Sequence, residues 1–351
     1  MTNRLRLAGI LGLFSLLVLA EPQVPHRLTG ALRATPEELE YYRGVFSRVD
    51  AVRPTVLGLE RINRARAATR QAPLTWEEVD ERLAAAAGRG AEPFARDLPE
   101  AVDNSALKYF PPIRSQGAVG SCAAFSITYY SMTYATALAR DWDVRGNENT
   151  NKFSPKFTYN LNNFGGSNDG SFPQAILHTQ LTRGCPTWEV WPYSADPGEN
   201  KEWPTDAAVW RDAAQYRMAV VGEATLEQVK GLLNNGHLVT CTDYVNYFRF
   251  MLVKDNPDSA ADDGEVGLFA LQRRDSTPDP SNPHHDLKHA FAVVGYNDAL
   301  RVDINGNEVV DAGELGAYKV AHSWGTTWGN AGVMWIPYSL FDTSDWLYGP
   351  A

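Results

Sequence analysis

The chain has 351 residues, of which 44% are hydrophobic, so it can bury the core of one large domain or of two small ones. Its 32 basic and 42 acidic side chains give a net charge of -10. This acidic balance argues against nucleic acid as a partner and indicates a soluble protein.

Residues 1–20 have the features of a secretory signal peptide. Arg4 and Arg6 precede an apolar run from Leu7 to Ala20. This run is shorter than the roughly 20 apolar residues that a membrane span needs, and no later stretch approaches that length. We expect the segment to be removed and the mature protein to be exported, either secreted or periplasmic. An uncleaved membrane anchor is the alternative.

Residues 21–97 are predicted to form a charged, helical leader. Thr35 and Thr75 each begin a capping box, and Gly88 is placed to end the second of these helices. A further helix is predicted from about Thr55 to Arg70. The composition then changes to prolines, glycines and aromatic residues, which are typical of short strands and turns.

The chain contains three cysteines, which leaves at least one thiol unpaired. Cys241 lies in a strand-like apolar run, where a small buried residue is expected, although a disulfide between Cys185 and Cys241 is an alternative. Cys122 begins a run without Gly or Pro that extends to Arg140 and predicts one long helix. The positive end of a helix dipole would stabilise a thiolate at Cys122 and lower its pKa. A packed, unreactive cysteine is the competing interpretation.

Two histidines lie beside β-prone segments in the second half of the chain. His289 opens HAFAVVGYND, and His322 follows a second strand-like run and precedes a Ser-Trp-Gly turn. A thiolate nucleophile needs a base to take its proton, and the base needs an orienting partner. Taken singly, either histidine is explained as well by a structural role.

Five blocks together resemble the papain-like cysteine peptidases, in the order in which that family has them. They are LPEAVDNSAL, QGAVGSCAAFS, the set FSPKFTYN, GGSNDGSF and WPYS, then HAFAVVGY, and finally HSWGTTWGNAGVMWI. Gln116 stands six residues before Cys122, which is the family's spacing between its oxyanion-hole glutamine and its nucleophile. The resemblance covers the chain from Leu98 onward and implies a peptidase domain over residues 98–351.

The resemblance implies an α+β fold with two lobes and the active site in the cleft between them. The helical lobe would be built on residues 122–140, and a β-barrel-like lobe would carry His289 and His322. The preceding segment, residues 21–97, is then interpreted as an inhibitory leader or propeptide. A non-inhibitory extension is the alternative, because the family's usual leader motif is not clearly present.

The family's chemistry implies hydrolysis of peptides or proteins without a cofactor. Cys122 would attack the carbonyl, His289 would act as the base, and Gln116 with the Cys122 amide would hold the oxyanion. Trp324 would shield His289 from water. Asp169 and Gly170 would contact substrate. A papain-fold module that binds peptides without cutting them, and acyl transfer to an amine, remain alternatives.

The sequence also departs from the family's pattern. Val119 and Ser167 replace a cysteine pair of the family, and Asp169 replaces the first of two substrate-contacting glycines. His322 takes the place of the asparagine that orients the base. A neutral His322 can accept a hydrogen bond and a protonated one cannot, so we expect activity to fall near the ordinary His pKa of about 6.5.

The segment DINGNEVVDAGE, residues 303–314, has the spacing of a calcium-binding loop. The oxygen-donating positions are Asp303, Asn305, Asn307, Val309 through its carbonyl, Asp311 and Glu314. The position normally held by Gly is Glu308. This insertion is predicted to bind a structural calcium ion, and a polar hairpin turn is the alternative.

Overall fold

The computed structural model describes residues 30–32, 34–48, 51–88, 92–163, 170–243, 248–252, 269–273, 289–301, 307, 309, 311–341 and 345–348. The predicted signal peptide lies outside these residues, as do Asp169, Ser167, Asp303, Asn305 and Glu308.

Nine α-helices occur in the described parts of the chain. They are α1 Pro36–Val45, α2 Val56–Ala68, α3 Trp76–Ala86, α4 Cys122–Ala124, α5 Thr133–Arg140, α6 Pro155–Asn162, α7 Pro173–Thr182, α8 Ala207–Ala214 and α9 Leu226–Asn234.

Ten strands occur in the same parts. They are β1 Ser47–Arg48, β2 Ala101–Asp103, β3 Gly222–Ala224, β4 Val239–Asp243, β5 Phe248–Leu252, β6 Phe269–Arg273, β7 His289–Arg301, β8 Leu315–Ala321, β9 Val333–Pro337 and β10 Asp345–Tyr348.

The helix boundaries in the leader follow from local capping, as the sequence predicts. Thr35 and Thr75 each accept from the amide three residues on, while Glu38 and Glu78 reach back to the two cap amides. Gly88, just beyond α3, has φ +72, a conformation that favours glycine.

The predicted helix from Cys122 to Arg140 is present and continuous. Between α4 and α5, Phe125–Met132 form a π-helical stretch. Every residue of this stretch is buried. The helix therefore passes through the middle of the molecule, with Cys122 at its N-terminal end.

The strands form one mixed sheet in which antiparallel pairs predominate. The strand order is β1-β3-β10-β4-β7-β8-β9-β6-β5, and β2 pairs with β7. One apolar core lies on the β4, β7, β8 and β9 side of the molecule, and another is built mainly from helices α4, α6, α7 and α8. Cys122 and Ala290 belong to the same cluster, so the two lobes meet at the start of the helix. This arrangement confirms the predicted α+β fold.

The leader packs on both lobes. Helix α1 lies against α7, and β1 pairs in parallel with β3. Helix α2 lies against α9, where the Arg61 guanidinium donates to the carbonyls of Leu233 and Asn234 at 3.1 and 2.9 Å. Within the described residues, no helix is both long enough and apolar enough for a membrane span.

Candidate active site

Cys122 is the first residue of α4 and is fully buried. The backbone amides of Ala290, Ala123, Gly30 and Ala31 lie close to its sulfur and favour the ionised form of the thiol. Ala290 follows His289 directly in β7, whereas the last two residues belong to the leader. The structure thus brings the nucleophile candidate, the base candidate's strand and the leader to one point.

Burial raises the pKa of the Cys122 thiol to about 11, although the surrounding backbone amides oppose that rise. The sequence led us to expect a lowered pKa from the helix N-terminus. The difference has a physical cause, because removing the sulfur from water penalises the thiolate more than the helix end stabilises it.

The leader crosses this site as a short strand. Ala31 forms a parallel bridge with Ser171, in which the Ser171 amide donates to Gly30 O at 2.8 Å and the Leu32 amide donates to Ser171 O at 3.0 Å. A Cβ built on Gly30 would lie 2.0 Å from Gly120 O, and one on Gly170, at φ +76, would lie 2.5 Å from Gly30 O. Only glycines at both positions permit this approach.

Gln116 is buried and held through its side chain and its backbone. Its side-chain Nε2 donates to Val119 O at 2.7 Å, and its Oε1 accepts from the Ser323 hydroxyl. Its backbone amide donates to Ser323 O at 2.7 Å. The predicted oxyanion donor is therefore fixed beside the turn that leads into Cys122.

His289 is the first residue of β7 and is buried. The strand register places it opposite Asp243 of β4, which is also buried. Directly opposed residues of an antiparallel pair point to the same side of the sheet. The ring centroid of Trp324 lies 4.9 Å from that of His289, close enough for the predicted shielding.

The imidazole ring of His322 stacks face to face on that of His289. The two ring centroids are 4.3 Å apart with 13° between the planes, and neither ring nitrogen of His322 has a hydrogen-bond partner among the described residues. The in-plane hydrogen bond that orients the base in our sequence interpretation is not formed in this conformation. Burial, together with the charge of His289, holds the pKa of His322 well below its ordinary value. His322 is therefore neutral, as an acceptor must be.

The described part of the calcium-loop candidate is joined by its own hydrogen bonds. The Asn307 amide group donates to Asp311 Oδ2 at 2.7 Å, and the Val309 and Asp311 backbone amides donate to Asn307 Oδ1 and Glu314 Oε2 at 2.9 and 2.7 Å. No cluster of three or more His, Cys, Asp or Glu suited to a metal ion occurs among the residues described.

The Cys185–Cys241 disulfide considered from the sequence is not formed, because Cys185 is a free thiol. Its sulfur donates to Ser154 O at 3.3 Å.

Three residues near the site did not emerge from the sequence. Ser171 pairs with the leader through its backbone, Ser323 bonds to Gln116, and the Tyr193 hydroxyl donates to Gln116 O at 2.7 Å. All three stand inside blocks that the family resemblance singled out, but no pattern along the chain indicated which residue each of them contacts.

Comparison with known proteins finds a curated relative and several similar structures. No family model matches the sequence. Cathepsin K of Gallus gallus is 23% identical over 251 residues, which cover 70% of this chain and 60% of that protein. The chain thus aligns with less than two thirds of its curated relative.

The solved structure of xylellain supports the architecture. Xylellain, a cysteine protease from Xylella fastidiosa, superposes with a TM-score of 0.50 at 18% identity, covering 74% of this chain and 89% of its own. The bromelain protease from Ananas comosus superposes with a TM-score of 0.46 at 14% identity, over 72% and 99%. The chain has the papain-like fold, and the resemblance expected from the sequence is confirmed at the level of the fold.

Proposed function

We propose that this protein is a papain-like cysteine peptidase that cleaves peptide bonds in peptides or proteins. The observation that carries the proposal is the meeting of Cys122, Gln116 and the start of β7 at the junction of the lobes. Cys122 and Ala290, the residue after His289, belong to one buried cluster, and the Ala290 amide favours the ionised form of the thiol. Gln116 is held beside the turn that precedes the nucleophile.

Each group has a defined role in this proposal. The Cys122 sulfur forms a bond to the peptide carbonyl carbon, and its proton passes to His289. The carbonyl oxygen gains the negative charge and accepts from the Cys122 amide and the Gln116 side chain. His289 then gives its proton to the leaving amine, and water releases the acyl group. This sequence needs no cofactor.

We further propose that the leader keeps this site latent. Gly30 and Ala31 cover the Cys122 sulfur, and their strand occupies the edge at Ser171 where a substrate backbone would pair. Under this cover the thiol stays protonated at neutral pH. The cleft therefore becomes reactive when the strand leaves it.

The test uses a peptide epoxide that alkylates activated cysteines. The wild-type chain, once active, is expected to be labelled at Cys122 and to hydrolyse unfolded protein, while Cys122→Ala loses both properties and keeps its melting temperature. Cys185→Ala is the matched control, because it removes another buried thiol and should leave labelling intact. Undiminished hydrolysis by Cys122→Ala would overturn the assignment.

A peptide-binding module without catalysis is the second candidate, and it is favoured by the His322 ring, which stacks on His289 instead of hydrogen bonding to any described residue. The same labelling experiment separates the two functions. A peptide that binds the cleft tightly while Cys122 stays unreactive after the leader strand is displaced would establish the module.

We also propose export and calcium binding. Export rests on the sequence of residues 1–20. For calcium, an ion that binds only the folded loop would raise the melting temperature by mass action, and Asp311→Ala would remove that rise. Melting curves at millimolar calcium check this expectation, and equal curves with and without calcium would leave the loop an ordinary turn.

A further inference from the structure

The Tyr193 hydroxyl joins the two ends of the turn that carries the oxyanion donors. It donates to the backbone carbonyl of Gln116 at 2.7 Å and lies 2.8 Å from the Ser121 hydroxyl. Gln116 supplies one donor of the proposed oxyanion hole. Ser121 immediately precedes Cys122, whose amide supplies the other.

The direction of these hydrogen bonds follows from counting protons. A carbonyl oxygen only accepts, so the single hydroxyl proton of Tyr193 points to Gln116. The Ser121 hydroxyl must then donate to Tyr193. Both ends of the turn therefore depend on one phenolic oxygen.

The ring that carries this oxygen is held in place by other aromatic side chains. The Phe125 ring meets it edge to face, with centroids 4.9 Å apart, and the Trp188 ring lies 5.7 Å away. Phe125 belongs to the π-helical stretch that follows Cys122. The hydroxyl position is thus coupled to the helix whose first turn presents the nucleophile.

We propose that Tyr193 is a positioning residue that aligns the two oxyanion donors, acting through Gln116 and Ser121 without touching substrate. The inference rests on the proposed peptidase function. Ser323 holds the Gln116 backbone amide and side chain, whereas Tyr193 holds its carbonyl and the residue before the nucleophile. Loss of the hydroxyl removes one hydrogen bond at each end of the turn and leaves the aromatic packing intact.

The experiment compares Tyr193→Phe with Tyr296→Phe in the full chain. Both variants are activated in the same way, and the concentration of active enzyme is determined by active-site titration. Tyr296 is the matched control, because its buried hydroxyl also donates to a backbone carbonyl, that of Pro99 at 2.8 Å, but on the β-lobe side. Removing an oxyanion donor itself costs about 10²–10³ in kcat. Tyr193→Phe is expected to lower kcat by about tenfold or more, with KM changed by less than about twofold.

A second measurement isolates the oxyanion hole. The Cys122 sulfur adds to the carbonyl carbon of a peptide aldehyde and forms a tetrahedral adduct. The oxygen of this adduct needs the same two hydrogen-bond donors as the oxyanion of the reaction. Iodoacetamide instead alkylates the sulfur with loss of iodide and develops no oxyanion. Tyr193→Phe should weaken aldehyde binding by the same factor as kcat, with the alkylation rate unchanged.

Three outcomes decide the inference. A parallel loss of kcat and aldehyde affinity in Tyr193→Phe alone supports it. The inference is overturned if kcat and aldehyde affinity are the same in Tyr193→Phe and Tyr296→Phe. It is also overturned if the alkylation rate of Tyr193→Phe falls by the same factor as its kcat. In both cases the peptidase function stands. A wild-type chain that neither hydrolyses peptides nor binds the aldehyde rejects the peptidase function and this inference with it.

Discussion

At the scale of single residues, His322 is the group that most distinguishes this site. It stands where the family's orienting asparagine is expected, yet its ring stacks on His289 and makes no hydrogen bond within the described part of the chain. Its lowered pKa means that it stays neutral below pH 6.5. The acidic loss of activity that we assigned to His322 therefore moves below the value expected from the sequence.

The lowered pKa of His322 has a consequence for stability. As the pH falls below about 6.5, the unfolded chain binds a proton that folded His322 does not, so the free energy of unfolding decreases. Asn at this position does not titrate. We expect His322→Asn to melt at a temperature that depends less on pH between 7 and 5 than the wild type does.

Thermal melts at several pH values measure this difference, and kcat/KM of the same variant reports on the base. An asparagine that accepts from His289 should keep or raise kcat/KM. Parallel melting profiles of the two proteins would show that His322 is not held neutral in the folded state.

At the scale of elements, the leader strand over the cleft depends on a backbone approach rather than on side chains. Gly30 lies against Gly120, and its carbonyl accepts from the Ser171 amide. Helix α4, β7 and this strand all meet at the Cys122 sulfur. One methyl group at the contact is therefore enough to disturb the cover.

Gly30→Ala would place its Cβ 2.0 Å from Gly120 O, so the strand must move outward. We expect Cys122 of the full-length chain to react with iodoacetamide about tenfold faster. This factor corresponds to a loss of about 1.4 kcal/mol in the free energy with which the leader strand covers the sulfur. Gly44→Ala is the control, since nothing lies within 4 Å of its added Cβ in the same leader. Identical alkylation rates for the two variants would contradict a latent site.

At the scale of the whole molecule, the second half of the leader is built into the lobe behind α9. Val52 belongs to the main core of that lobe, and Asn235 accepts from the Thr55 amide at 3.1 Å and donates to Arg53 O at 2.8 Å. Arg61 reaches the last carbonyls of α9 and the Asn104 side chain. Helix α2 thus stabilises the end of another helix.

Arg61→Ala removes the guanidinium donor of Asn234 O and of the Asn104 side chain, whereas Leu233 O still accepts from the Gly236 amide. Hydrogen bonds to charged groups contribute roughly 1.5–3 kcal/mol each. We expect the melting temperature to fall by several degrees. Arg64→Ala, an exposed arginine on the same helix, should change it little. Calorimetry of both variants decides, and equal melting temperatures would mean that α2 is only loosely attached.

The sequence by itself determined the local features of this protein. Capping boxes at Thr35 and Thr75 depend on residues three apart, and the helix from Cys122 follows from a run without Gly or Pro, so each is encoded by neighbours. The order of the motif blocks was sufficient to predict the papain-like fold and to single out Cys122, His289 and Gln116.

Only the tertiary structure decided how these residues meet. Burial raises the pKa of Cys122, and the backbone amides of Gly30 and Ala31, about ninety residues away in the chain, oppose that rise. The stacking of His322 on His289 and the contacts of Tyr193 likewise join segments that are distant in sequence. Desolvation and ring geometry depend on what surrounds a group in three dimensions, and no spacing along the chain specifies that environment.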